Sequence, residues 1–378
     1  MRRCDRIIRR PLSLLILCLL AASVPQYASG DAAPPDIHEL VTEADHIVTA
    51  SILTLKREAV EGHASLQVTR WVKTQFKKPP EEFTVHGTYL EDSPFGELAE
   101  GRAFLIFVFS GNRVDRPFSV IELGDEGQLS SFAINGLAEP LPRTIDDMLA
   151  QIRIIMSPAY EDTLLSQLAD NTLDNAERSR AATALGYIRS AKAFPILQEW
   201  AAKDDAEAYP ITEAALRSLY RIDAKRATAA LVSVAVSSVE AAHVRTACHL
   251  LGLEPSKEPE DFSKLLAACQ RWKDKDEAGH EAVAGLISAL GSMNQVTPEF
   301  KALLLDEIRH GKGNAKHVSM CVAGHLKIEE ALPSIRDILA HDPDANMRMS
   351  ARLALAYYKL PRGTDNDEEE PESDGSKE

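Results

Sequence analysis

Arg178-Ser179-Arg180-Ala181-Ala182-Thr183-Ala184-Leu185-Gly186-Tyr187-Ile188, followed by Ala193-Phe194-Pro195-Ile196-Leu197, is the stretch that decides the fold of this chain. The same phrase returns through the second half of the sequence, each time reading as a helix packed on a neighbour. Small or aromatic residues closing the phrase fall at Gly186, Tyr220, Gly252, Gly291, Gly324 and Ala356, and by subtraction the spacings are 34, 32, 39, 33 and 32. A period in the range of roughly 20 to 50 residues marks a stacked array, because one helical hairpin cannot bury its apolar face until another covers it. The single long step contains Glu254-Pro255-Ser256-Lys257-Glu258-Pro259-Glu260, a polar stretch with two prolines that reads as an inserted loop.

The residue types fit that packing. Small residues at Ala181, Ala182 and Ala184, echoed at Ala214-Ala215 and Ala351 to Ala354, let helix axes approach, while Leu185, Leu219, Leu251, Leu290 and Leu355 supply the apolar stripe. Second helices carry proline near their first turn, as in Phe194-Pro195-Ile196-Leu197 and Leu332-Pro333-Ser334-Ile335. Proline there sacrifices no hydrogen bond, since the first helical N–H groups have no partner. Pro195 and Pro333 lie 138 residues apart, as do Gly186 and Gly324, which is four periods of 34.5.

This pattern resembles HEAT repeats from about Tyr160 to Leu360. The last unit, Asp342-Pro343-Asp344-Ala345-Asn346-Met347-Arg348-Met349-Ser350-Ala351, is similar to the family's Asp-Pro-x-x-x-x-Arg-x-x-Ala phrase. The first unit keeps Arg180 and the alanines, with Asp174-Asn175-Ala176 where Asp-Pro belongs; the second loses the arginine and the closing glycine. The resemblance implies an armadillo-type scaffold that holds a protein or peptide partner.

The amino terminus reads as a signal peptide over residues 1–30. Arg2, Arg3, Arg6, Arg9 and Arg10 precede an apolar run from Leu12 to Val24, and Ala28-Ser29-Gly30 is a small-residue cleavage site. The run is 13 residues, short of the ~20 that span a bilayer, so export to the periplasm or outside the cell is expected, with no stable membrane span. Cleavage removes five arginines and Asp5, taking the formal charge from −15 to −19. Such acidity disfavours nucleic acid and anionic lipid as partners.

From about Asp36 the pattern alternates. Candidate strands are His46 to Leu55, His63 to Val72, Glu82 to Thr88, Arg102 to Phe109, Phe118 to Leu123 and Gln128 to Ile134, followed by a helix over Ile145 to Ile155. Phe104-Leu105-Ile106-Phe107-Val108-Phe109 reads as a strand buried on both faces. A small closed barrel is favoured, with a sandwich as the alternative. The order Ala44 to Ala50, Leu66 to Lys73, Glu100 to Phe107 is similar to exported OB-type domains of the netrin or tissue-inhibitor-of-metalloproteinases class. This region has no cysteine, so a protease-inhibitor role is not implied.

The expected organisation is a β-rich OB-like domain at 31–157, an all-α HEAT-like array at 158–361 and an acidic disordered tail at 362–378. Cys248, Cys269 and Cys321 remain after cleavage, too few for a disulfide framework; Cys248 and Cys269 could pair, buried free thiols being the commoner case. No nucleophile, phosphate-loop or metal motif is present. His310, His317, His325 and His341 lack the i, i+4 spacing of helical ligands. Arg70, Trp71, Lys73, Phe76, Lys77 and Lys78 form a basic and aromatic stretch that reads as a solvated hairpin. Catalytic, cofactor and metal residues are therefore expected to be none. The function expected is a non-enzymatic exported scaffold, the alternatives being a structural envelope component or an enzyme with its site between the domains.

Overall fold

The computed structural model describes residues 36–58, 61–88, 98–114, 120–124, 129, 142, 144–204, 206–273, 275 and 277–359. The expected signal peptide and acidic tail lie outside these residues. An all-β region is followed by an all-α region, and the described chain divides after Ser256 into two compact units.

The first unit opens with a short helix, α1 (Ile37–Glu43), that the sequence pattern did not announce. Asp36 caps it by accepting from the His38 N–H at 2.8 Å. Five strands follow: β1 (His46–Glu58), β2 (Glu61–Lys73), β3 (Glu82–Thr88), β4 (Ala103–Val108) and β5 (Val120–Leu123). They form an antiparallel sheet in the order β3-β2-β1-β4-β5. Of the sixth expected strand only Leu129 is described, bridged to Leu123. The β3 edge is stitched to the chain beyond β4, where His86 N–H donates to Asn112 O at 2.8 Å and Val114 N–H donates to His86 O at 2.9 Å.

Both faces of the sheet are apolar. Val48, Phe104, Ile106 and Val108 share one core with Leu66 and Val85, while Ile47, Leu105, Phe107 and Phe109 share the other with α1 and α2 (Ile145–Ile155). Alternate residues of one run thus serve opposite faces, as the period of two requires. Helix α2 begins with a capping box in which Thr144 and Asp147 exchange backbone bonds.

The first unit continues with α3 (Tyr160–Ala169), α4 (Asn175–Tyr187), α5 (Phe194–Ala201), α6 (Tyr209–Ile222), α7 (Ala224–Ser237) and α8 (Ala241–Leu253). The second contains α9 (Pro259–Lys273), α10 (Glu277–Ser292), α11 (Pro298–His310), α12 (Gly313–His325), α13 (Leu332–His341) and α14 (Ala345–Lys359). Within the first unit α4, α6 and α8 stack in turn; within the second, α10, α12 and α14 do the same. Three of the marker glycines, Gly186, Gly291 and Gly324, sit where a Cβ would fall under 3.0 Å from the next helix. A Cβ at Gly186 would meet the Ser218 backbone Cα at 2.7 Å, and one at Gly324 would meet the Ala354 carbonyl oxygen at 2.5 Å. The repeat period is therefore a packing requirement.

Three of the first helices, α4, α10 and α12, stop in the same way. Arg189, Asn294 and Lys327 lie three residues beyond Gly186, Gly291 and Gly324, in left-handed conformation with φ of 53°, 54° and 55°. At Arg189 the bonds are those of a Schellman motif, with Ser190 N–H donating to Leu185 O at 3.0 Å and Arg189 N–H donating to Gly186 O at 3.1 Å. A non-glycine residue there costs roughly 1–2 kcal/mol of strain.

Candidate functional site

A cavity of about 680 Å³ lies in the first unit where α1, the end of α2 and α3 face α4. Its origin follows from the repeat register. On α6, Ile211, Ala214 and Ser218 are buried in the stack that α4 precedes. On α14, Ser350 bonds to His317 of α12 and Ala354 abuts Gly324. Subtracting 34 from the α6 positions, or 170 from the α14 positions, places the same leading face on α4 at Glu177, Arg180 and Ala184. Among the described residues no first helix precedes α4 there, and the β-rich region covers that face only in part, leaving the cavity.

One wall is a hydrogen-bonded strut. His38 Nδ1 lies 2.6 Å from Asp36 Oδ1, so Nε2 is the free acceptor, and the Tyr160 hydroxyl donates to it at 2.6 Å. Burial, with the Asp36 charge adding, pushes the Tyr160 hydroxyl up to about 12. Tyr160 accordingly stays protonated and joins α1 to α3. Ser190 Oγ donates to Glu161 Oε1 at 2.7 Å and Lys192 pairs with Glu161 and Asp162 at 3.0 and 3.1 Å, fixing the turn after α4 to the same helix. Those bonds, first from Ser190 and then from Lys192, hold the Glu161 carboxyl below its ordinary range.

The rest of the lining is mixed. Ile154, Ile155, Leu164 and Leu173 give an aliphatic surface, and Ile154 is 57% exposed. Glu177 is occupied as the capping-box partner of Asp174. Arg180 is exposed and forms no ion pair among the described residues. The arginine that matches Arg348 of the last unit is not Arg180 but Arg178, each lying three residues before its alanine, Ala351 or Ala181. Both brace the turn preceding their helix: Arg348 donates to Asp342 O at 2.7 Å, and Arg178 to Asn171 Oδ1 at 3.3 Å and Asn175 Oδ1 at 2.7 Å. Aligning on the alanines would have revealed this from sequence.

Residues 161–252 match the family model for HEAT repeats. The helices from α3 to α8 are similar to HEAT repeats. No curated protein matches the chain. The HEAT match begins in α3 and ends in α8, so the cavity sits against the first HEAT hairpin. The helices of the second unit keep the same sequence register and the same glycine contacts.

The other residues singled out by sequence are dispersed. Lys73 Nζ donates to Val41 O at 2.8 Å and Thr42 O at 3.1 Å, closing the end of α1, and Arg70 lies 3.7 Å from Asp146. Phe76 stacks on His46 at 4.4 Å, and Trp71 and Phe83 pack edge-on around them. The basic and aromatic stretch is thus partly spent on the fold. His317 bonds to Ser350, His341 to Asp337 at 2.9 Å, and His325 faces Tyr357 edge-on, so the histidines are not gathered. His310 lines a small cavity of 120 Å³ with His280, Lys273 and the buried Glu307, a grouping the sequence did not indicate. Cys248, Cys269 and Cys321 are buried, and none of them forms a disulfide among the described residues.

Proposed function

We propose that this is an exported, non-catalytic scaffold whose HEAT helices hold a protein or peptide partner, with the OB-like β-rich region capping the array. The observation that carries the reading is the HEAT match over residues 161–252 on helices stacked through glycine contacts. HEAT repeats commonly mediate protein interactions, and stacked hairpins present an extended surface rather than one pocket. The leader-like residues 1–30 support export. No helix among the described residues is long and apolar enough to cross a membrane.

The test is site-specific photo-crosslinking of the intact chain in its native envelope. A crosslinker is placed at exposed Glu199 on α5, at exposed Lys225 on α7, or at Leu53 of β1, which is 43% exposed. One protein trapped from Glu199 and Lys225 but not from Leu53 supports the reading. Trapping from Leu53 alone, or from none of the three, refutes it.

A further inference from the structure

We propose that the cavity against α4 binds an aliphatic carboxylate, with its hydrocarbon on Ile154, Ile155, Leu164 and Leu173 and its carboxylate on Arg180. This is independent of whether the array holds a macromolecular partner.

The volume of 680 Å³ lies within the roughly 300–1,000 Å³ of small-molecule sites, and the lining has their character, aliphatic with a few converging polar groups. Most of those groups are already satisfied. His38 and Tyr160 bond each other, the Thr163 hydroxyl donates to Ala159 O at 3.1 Å, and Glu177 holds its cap. Among the described residues the Arg180 side chain and the Gln167 side chain have no hydrogen bond. Arg180 offers only donors, in a fork that matches a carboxylate.

The position of Arg180 is itself informative. Its equivalents, Ala214 and Ser350, are buried in the stack, where an arginine would leave its charge without water. At the open end of the array the guanidinium has room and lies beside aliphatic surface that includes the exposed Ile154. A ligand that is anionic at one end and aliphatic along its body satisfies both. A fatty acid and the carboxy terminus of an aliphatic peptide share that chemistry.

The experiment is titration calorimetry on the intact chain with five probes: decanoate, decanol, decylamine, and acetyl-Ala-Leu-Leu as the free acid and as the amide. At least one acid should bind, while the alcohol, the amine and the amide bind far more weakly; which acid binds identifies the source. Arg180→Gln should weaken the bound acid about tenfold or more, the loss expected for charge-assisted hydrogen bonds. Ile154→Ser, at an exposed site, should weaken it severalfold with an unchanged circular dichroism spectrum. The proposal is overturned if neither acid binds, if the uncharged or cationic probes bind as tightly as the acids, or if Arg180→Gln binds like the parent chain.

Discussion

The Ser218 hydroxyl donates to the Ala182 carbonyl at 2.8 Å, and a Cβ built on Gly186 would fall 2.3 Å from that hydroxyl oxygen. The two helices are thus closer at Gly186 than any larger residue permits. Gly186→Ala should lower stability by about 1–3 kcal/mol, the usual cost of overpacking, seen as a lower urea midpoint at unchanged slope. Adding Ser218→Ala should restore little, because the Ser218 Cβ and backbone Cα would remain 2.6 and 2.7 Å away. Full rescue by that second change would show that the hydroxyl alone sets the spacing.

Tyr160 predicts an alkaline transition. Its hydroxyl is pushed from 10.0 up to about 12, chiefly by burial, so folding favours the protonated form. That contribution is complete below pH 10 and is lost as pH rises through about 12. Tyr160→Phe should remove this part of the alkaline slope in thermal melts. It should also cost about 1–3 kcal/mol at neutral pH, because the buried His38 Nε2 loses its donor. An unchanged alkaline slope in the variant would assign the transition elsewhere.

Glu307 predicts the opposite sign for a carboxylate. Burial raises its pKa above 4.5, Lys273 opposing and Asp306 adding, so the folded state prefers the neutral acid. Its contribution is full below pH 4.5 and is lost as pH rises through the folded value. Glu307→Gln should therefore melt higher than the parent at neutral pH, with the gap closing below pH 4.5. A gap that widens on acidification would contradict this.

The thiols should be silent. Cys248, Cys269 and Cys321 are buried, and burial pushes the Cys321 thiol up to about 12 and raises Cys248 as well. Native alkylation should be at least about a hundredfold slower than for an exposed cysteine and should accelerate only as the chain unfolds. Rapid labelling of any one of them in the folded protein would show a path to solvent.

The repeat was legible because its period is written in glycines and alanines that must contact the next helix, as Gly186 meets Ser218 and Gly324 meets Ala354. The strand run from Phe104 to Phe109 was legible because burial on both faces leaves no polar alternate position. The cavity was not. It exists because no first helix precedes α4 among the described residues, and a local motif cannot report an absent neighbour. Arg178 and Arg180 also look alike in sequence until the units are aligned on Ala181 and Ala351, and the turn that Arg178 braces shows why they differ. Helix α1 escaped notice because it is two turns long and is held in place by Asp36 and Lys73, the latter reaching it from β2.

Arg189 and Lys327 hold left-handed backbone where glycine would sit without strain. The strain is roughly 1–2 kcal/mol, but glycine would loosen the unfolded chain by a comparable free energy. The two effects nearly cancel. Such a site is close to neutral under mutation, so descendants of this gene can exchange arginine, lysine, asparagine and glycine there while the turn keeps its shape.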